Sequence, residues 1–72
     1  MEEKWRFGET LRKLRKTKKL SLEAVGKVCG VTRKSVSKWE LDINVPNVEH
    51  ILKMCLLFGV TPNEIFENFL NS

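Results

Sequence analysis

Apolar residues recur at helical spacing along most of this chain, and no stretch keeps the period of two that a convincing strand requires. Phe7, Leu11 and Leu14 fall at i, i+4 and i+7, so they lie on one face of a helix of about residues 5–18. Lys and Arg occupy the other side of this helix. The pattern therefore predicts an amphipathic first helix and favours an all-α fold.

Four more helices are predicted from their start and stop signals. Ser21, Thr32, Asn47 and Thr61 are N-cap candidates, because their side chains can accept a hydrogen bond from an unpaired backbone amide. A glycine stands at each place where a left-handed residue would end the second and the fourth helix. The third, fourth and fifth helices are predicted at about 33–40, 48–58 and 62–70, after a short second helix that ends before Gly30.

The composition predicts one small globular domain. The chain has 72 residues, of which 42% are hydrophobic and 31% are charged, so we expect a single domain over residues 1–72 with a thin core. No apolar run is long enough for a transmembrane helix, and the acidic start leads into no secretory signal. We therefore expect a protein without a membrane partner.

The charge is divided unequally along the chain. Residues 1–40 carry 12 Lys and Arg against 5 Glu, a net +7, whereas residues 41–72 carry a net −3. A basic half joined to an acidic half suggests a polyanionic partner on one side. The alternative is that these cations only solvate helix surfaces.

The chain offers little for catalysis or metal binding. Cys29 and Cys55 lie among apolar neighbours and are interpreted as buried, reduced thiols, although a single bridge between them stays open. His50 is expected to be an exposed polar residue, and with the two thiols it makes only three ligand candidates at no zinc spacing. No nucleophile and base can be assembled. We expect no enzyme, no cofactor, no metal and no small-molecule ligand.

The third helix carries the functional signal. On a helical wheel Val36 and Trp39 point toward a core, and the opposite arc of roughly 140° is cationic and hydroxylic. That arc holds Arg33, Lys34, Ser37 and Lys38, without an acid among them. A helix fits the major groove of B-DNA, where Arg and Lys can donate hydrogen bonds to guanine and Ser can donate or accept one. The alternative is a solvated basic face.

The preceding turn favours the DNA-binding interpretation. Gly26 permits close approach of the second and third helices, Gly30 permits a tight turn, and Val36 points inward, as a helix-turn-helix requires. The segment from residue 20 to residue 40, LSLEAVGKVCGVTRKSVSKWE, closely resembles the helix-turn-helix of lambda-repressor-like, Cro-like (XRE-type) transcriptional regulators. Residues 7–15 and 46–66 resemble the flanking helices of that family.

This resemblance implies a five-helix DNA-binding domain, with its helix-turn-helix at about 22–40 and its last two helices within about 48–70. It implies a bacterial or phage source and hence a cytoplasmic protein. It implies double-stranded DNA as the partner and assigns base reading to Arg33, Lys34 and Lys38. It implies a structural ion pair between Arg15 and Glu40. Positions near phosphates or groove walls are Ser21, Thr32, Ser35, Ser37, Arg15 and Asn44.

Two departures from the family pattern bear on the affinity. The first residue of the second helix is usually Gln, and here it is Leu22, whose side chain forms no hydrogen bond. The loop of residues 41–46 carries one acid and no cation, so phosphate anchoring there is expected to be weak and to rest on Asn44 and backbone amides.

Apolar residues near the C-terminal end predict a homodimer, because the fifth helix holds more of them than a small core needs. The expected interface consists of Ile43, Phe66, Phe69 and Leu70. The alternative is that the two phenylalanines close the core of the monomer. The predicted function is a repressor that binds a palindromic operator. Its rivals are a protein-interaction module of the antitoxin or anti-repressor type and a basic binder of anionic membranes.

Overall fold

The computed structural model describes residues 7–66, and within that range the chain is helical without any strand. The helices are α1 (Phe7–Thr17), α2 (Leu22–Cys29), α3 (Arg33–Glu40), α4 (Val48–Phe58) and α5 (Pro62–Ile65). The predicted all-α fold with five helices is confirmed. The parts of the first and fifth helices that were predicted before residue 7 and after residue 66 lie outside the described residues.

Each of the four predicted N-caps forms its hydrogen bond. Ser21 Oγ accepts the backbone N–H of Ala24 at 3.0 Å, and Asn47 Oδ1 accepts that of His50 at 2.8 Å. Thr32 Oγ1 accepts from the backbone of the third helical residue of α3 at 3.4 Å. Thr61 and Glu64 form a reciprocal capping box with distances of 3.2 and 2.8 Å. These bonds fix the start of each helix from α2 to α5.

Two helices end on glycine as predicted, and two end on other residues. Gly30 and Gly59 take the left-handed conformation at φ values of 76° and 70°. Lys19 and Asp42 do so as well, both at 58°, and close the ends of α1 and α3. Non-glycine residues are uncommon in this conformation, so the sequence signals for α1 and α3 lacked the usual stop residue.

The core lies where all five helices meet. Val36 and Trp39 turn the inner side of α3 toward it and are 0% and 4% exposed. Helix α2 packs against α3 and α4, and α1 packs against α3 and α5. The buried apolar side chains are Phe7, Leu11, Val25, Cys29, Val36, Trp39, Met54, Cys55, Phe58 and Ile65. No helix in the described part of the chain is long and apolar enough to cross a membrane.

Two glycines allow backbones to approach closely around α3. A Cβ atom on Gly8 would lie 2.7 Å from the carbonyl oxygen of Trp39, so α1 approaches the end of α3 only because residue 8 has no side chain. A Cβ atom on Gly26 would lie 2.7 Å from the carbonyl oxygen of Val31. The expected role of Gly26 is thus refined, because it admits the backbone of the turn that leads into α3.

Both cysteines are buried and free, which confirms the interpretation as reduced thiols. The expectation for His50 was wrong. Its ring is half-buried and lies 5.1 Å from the ring of Trp39, and its buried Nδ1 atom has no hydrogen-bond partner among residues 7–66. The turn of α4 that places His50 beside α3 is a tertiary arrangement, so local sequence gave no sign of it.

Candidate nucleic-acid interface

The outward side of α3 presents the cations that the wheel predicts. Arg33, Lys34 and Lys38 are exposed, and Ser37 between them is half-buried. We call these four residues the reading face. Because Val36 and Trp39 anchor the inner side of the same helix, the reading face cannot rotate away from solvent without breaking the core. Within the described residues, no ion pair joins an acid to any of the three cations.

The predicted hydroxyl positions lie at or near the reading face. Thr32 is exposed directly before α3, although its hydroxyl is engaged as the N-cap. Ser35 and Ser37 are half-buried on α3 itself. Ser21 is exposed at the start of α2, where the helix dipole favours an anion such as a phosphate. Their contacts with DNA remain predictions, because the structure contains the protein alone.

The Arg15–Glu40 pair forms with bidentate geometry. Arg15 Nε donates to Glu40 Oε2 at 2.6 Å, and Nη2 donates to Oε1 at 3.2 Å. Nη1 donates to the carbonyl oxygen of Leu20 at 2.9 Å. The two side chains are 12% and 8% exposed, so this pair is nearly buried. It connects the end of α1 to the end of α3 and to the residue before the cap of α2.

This pairing stabilises the charged guanidinium. The hydrogen bond to Glu40 raises the pKa of Arg15 above its ordinary value, burial opposes the shift, and the negative charge of Glu40 adds to it. Three nitrogens of Arg15 are already engaged inside the domain, and little of the side chain is exposed. The geometry supports the structural role of Arg15, and its contact with phosphate remains a prediction.

The loop after α3 has a structural role that the sequence did not indicate. Asp42 Oδ1 accepts the backbone N–H of Gly8 at 2.9 Å, which gives an amide of the first turn of α1 a partner 34 residues away. Asn44 is exposed, as a phosphate contact requires, and its backbone N–H is directed at the carbonyl oxygen of Lys38 at 3.4 Å. The single acid of this loop thus anchors α1, and the loop presents no cation.

Exposed apolar residues lie in two segments, the loop after α3 and one face of α4. Along α4 they follow a single line, because they fall there at i, i+4 and i+8. Ile43, the predicted interface residue in the loop, is 64% exposed, and Leu56 is 84% exposed. We call this set the apolar surface: Leu41, Ile43, Val45, Val48, Leu52 and Leu56. Its spacing along α4 was visible in the sequence and could have revealed it.

The other predicted interface residues are placed differently. Phe66 is half-buried, and its ring lies 5.4 Å from that of Phe7 in the core. Closure of the monomer's core therefore accounts for this contact, and a place for Phe66 in a dimer remains a prediction. Phe69 and Leu70 lie outside the described residues.

Comparisons with known proteins agree with this geometry. A family model described as helix-turn-helix matches residues 11–65. The repressor protein C2 of Salmonella phage P22 is 31% identical over 65 residues, which cover 90% of this chain and 30% of that repressor. The transcriptional activator BcrR of Enterococcus faecalis is 36% identical over 59 residues, covering 82% and 29% respectively. The chain thus spans about a third of the length of these curated relatives.

Solved structures show the same fold. The P22 c2 repressor in complex with a synthetic operator aligns with a TM-score of 0.79 at 31% identity, covering 85% of this chain and 92% of that one. The restriction-modification controller protein C.AhdI of Aeromonas hydrophila aligns with a TM-score of 0.77 at 33% identity, with the same coverage. From the family match, the fold and the exposed cationic helix together, the chain belongs to the helix-turn-helix family of lambda-repressor-like (XRE-type) DNA-binding transcriptional regulators.

Proposed function

We propose that this chain is a sequence-specific repressor that occupies a palindromic operator as a homodimer, with α3 of each copy in the major groove. The observation that carries the proposal is the reading face, where Arg33, Lys34 and Lys38 are exposed on a helix whose other side is buried. Arginine and lysine donate to the O6 and N7 atoms of guanine, and each such contact discriminates against the wrong base.

Support for base reading comes from the rigidity of the surroundings of α3. The helix begins at a formed N-cap and ends with a residue in the left-handed conformation, and its last residue is held by Arg15. Because the backbone of α3 is already ordered, binding does not lose free energy to ordering it. Phosphate contacts by Ser21, Thr32, Ser35, Ser37 and Asn44 would set the register of the helix in the groove.

The proposed homodimer rests on the apolar surface. Exposed apolar side chains commonly mark an interface, and the same set on two copies would be buried across a two-fold axis. Ile43 belongs to this surface, whereas Phe66, Phe69 and Leu70 would extend the contact from the C-terminal end of the described chain. Two reading faces that are about one helical turn of DNA apart would then meet a palindrome.

Repression would follow from occupancy alone, because a dimer bound over a promoter excludes polymerase. The P22 relative is a repressor that has been solved with an operator, which supports this direction of regulation. BcrR is an activator, so activation is the outcome that a reporter assay would have to exclude. A reporter fused to the selected operator should lose expression when the chain is produced.

The proposal is tested by selecting bound duplexes from a random library at two salt concentrations. We expect enrichment of an inverted repeat whose half-sites are centred about 34 Å apart, with binding that weakens as salt rises. Enrichment of a single half-site would contradict the dimer. If no duplex is enriched even at low salt, the chain does not read DNA, and the protein-interaction module becomes the better interpretation.

A further inference from the structure

A hollow of about 240 Å³ lies between the start of α2 and the reading face. It is lined by Leu22, Arg33, Lys34 and Ser37. Leu22 is the first residue of α2, directly after the cap Ser21, and it is half-buried because part of its side chain packs against the core. The hollow is therefore built by a fixed helix terminus on one side and by the outward side of α3 on the other.

The lining of this hollow is chemically divided. Arg33 and Lys34 provide cationic donors and Ser37 provides a hydroxyl, whereas Leu22 is the apolar member of the set. The positive charge favours binding of an anionic partner. A fully polar partner would bind less well, because it would have to lose water against the side chain of Leu22. The occupant that fits must be part of a polyanion and must still present an apolar group to Leu22.

One base provides such a group in the groove that α3 would enter. Among the edges that base pairs present in the major groove, the apolar one is the C5-methyl group of thymine, and its pair also offers the O4 and N7 acceptors. The three polar residues of the hollow lie on the same face of α3 that is proposed to read bases. With α3 in the groove, Leu22 at the start of α2 would lie beside the residues that meet these base edges.

We propose that Leu22 is a specificity-determining residue whose side chain contacts the methyl group of one thymine in each half-site, inside this hollow. The inference rests on the proposed binding of duplex DNA. Arg33, Lys34 and Ser37 would surround the methyl group and contact neighbouring base edges or phosphates. The ligand of this site is thus a 5-methylpyrimidine in a duplex.

The test replaces each thymine of the selected operator by deoxyuridine, which removes the methyl group and keeps every hydrogen-bonding group. Fluorescence anisotropy then gives the Kd of the full chain for each duplex at one salt concentration. For the native chain we expect one thymine position per half-site at which deoxyuridine weakens binding about fourfold, the value expected for burying one methyl carbon. Replacement of that thymine by 5-methylcytosine, paired with guanine, keeps the methyl group and changes the base pair. The Kd for this duplex therefore separates the contribution of the methyl group from that of the base pair.

Three variants of Leu22 and a matched control connect the methyl group to this side chain. Leu22→Ala and Leu22→Gln should bind the thymine and deoxyuridine duplexes equally, whereas Leu22→Met should retain the discrimination. Leu22→Gln keeps the length of the side chain, so it preserves the test if Leu22→Ala fails to fold. Leu14→Ala is the control, because Leu14 is also a half-buried leucine packed against the core but does not line the hollow.

The outcomes are distinct. If the native chain selects an operator and no thymine methyl group affects binding, the role of Leu22 is wrong and the proposed DNA binding stands. If the methyl effect persists in both Leu22→Ala and Leu22→Gln, another residue reads the methyl group and the inference is overturned. If no duplex is selected at all, the proposed function and this inference both fail.

Discussion

The outward sides of α3 and α4 differ far more than their inward sides do. Both helices begin at a formed N-cap and both bury apolar residues in the same core. Outward, however, α3 presents Arg33, Lys34 and Lys38, whereas α4 presents Val48, Leu52 and Leu56. Burial on one side stabilises a helix whatever its other side carries, so the exposed residues are free to suit two different partners.

The two surfaces also differ in how firmly they are held. The end of α3 is connected to α1 through Arg15 and Glu40 and through Asp42 and Gly8. The charged pair on α4, Glu49 with Lys53, is a surface contact at 3.3 Å between residues one turn apart. Polar contacts are therefore concentrated around the helix that is proposed to read DNA, where a small displacement would misalign donors and base edges.

The largest expected effect is on stability. Glu40→Ala leaves Arg15 nearly buried without its carboxylate, and this should lower the free energy of unfolding by about 3 kcal/mol. Urea denaturation followed by circular dichroism measures the change. Glu49→Ala is the matched control, since an exposed pair of this kind contributes about 0–1 kcal/mol. Equal losses in the two variants would show that α3 is held no more firmly than α4.

The second effect is on binding. Lys38→Ala should cost about 1–3 kcal/mol against the selected operator and should relax the preference at one base position. Lys13→Ala is its control, because Lys13 is an exposed lysine on α1 whose contribution should be slight and equal for all sequences. Kd values measured on the operator and on its single-base variants separate the two behaviours. A uniform loss for Lys38→Ala would place Lys38 on a phosphate.

The third effect concerns self-association. Leu56→Glu puts a charge into the apolar surface and should weaken dimerisation about tenfold, because the dimer would then bury an unpaired carboxylate against apolar side chains. Because Leu56 is 84% exposed, the fold of the monomer should be unaffected. Sedimentation equilibrium measures the association, with Thr17→Glu on α1 as the control for the added charge. An unchanged dimer would move the interface away from α4.

The smallest effect is a pH dependence of stability that arises from the core. Burial raises the pKa of the thiols of Cys29 and Cys55; the charge of Lys53 opposes the shift at Cys29, and that of Glu64 adds to it at Cys55. A group whose pKa is raised by folding stabilises the folded state below its ordinary pKa, about 8.5 for a thiol, and the contribution is lost as pH rises through the raised value. Unfolding free energies measured from pH 7 to 10 should decline above the ordinary thiol pKa. The decline should be less steep in a Cys29→Ala/Cys55→Ala variant. If the native chain and the variant lose stability equally with pH, the buried thiols are not the cause of the pH dependence.

The sequence predicted best what depends on neighbours in the chain. The caps at Ser21, Thr32, Asn47 and Thr61 need only the three residues that follow, and a wheel is enough to expose the cations of α3. The pairing of Arg15 with Glu40 came from the family resemblance, because nothing in the spacing of two residues 25 apart predicts contact. Local signals and a family resemblance thus predicted different parts of the structure around α3.

The features that escaped prediction depend on distant contacts. Asp42 looked like an unfavourable charge beside a phosphate backbone, yet its carboxylate completes the first turn of α1. Gly8 lies within the predicted first helix, and its missing side chain admits the carbonyl oxygens at the end of α3. Each feature depends on which residues the fold brings together, and single-sequence patterns do not contain that information.

The proposed function depends on base reading by the outward side of α3. Its most direct test is a parallel selection from one random duplex library with the native chain, with Arg33→Ala and with Lys13→Ala, followed by sequencing of the bound duplexes. We predict that Arg33→Ala loses the preference at one position of each half-site, while Lys13→Ala recovers the native motif. If Arg33→Ala selects the same motif as the native chain, Arg33 does not read a base and the account of the reading face is contradicted.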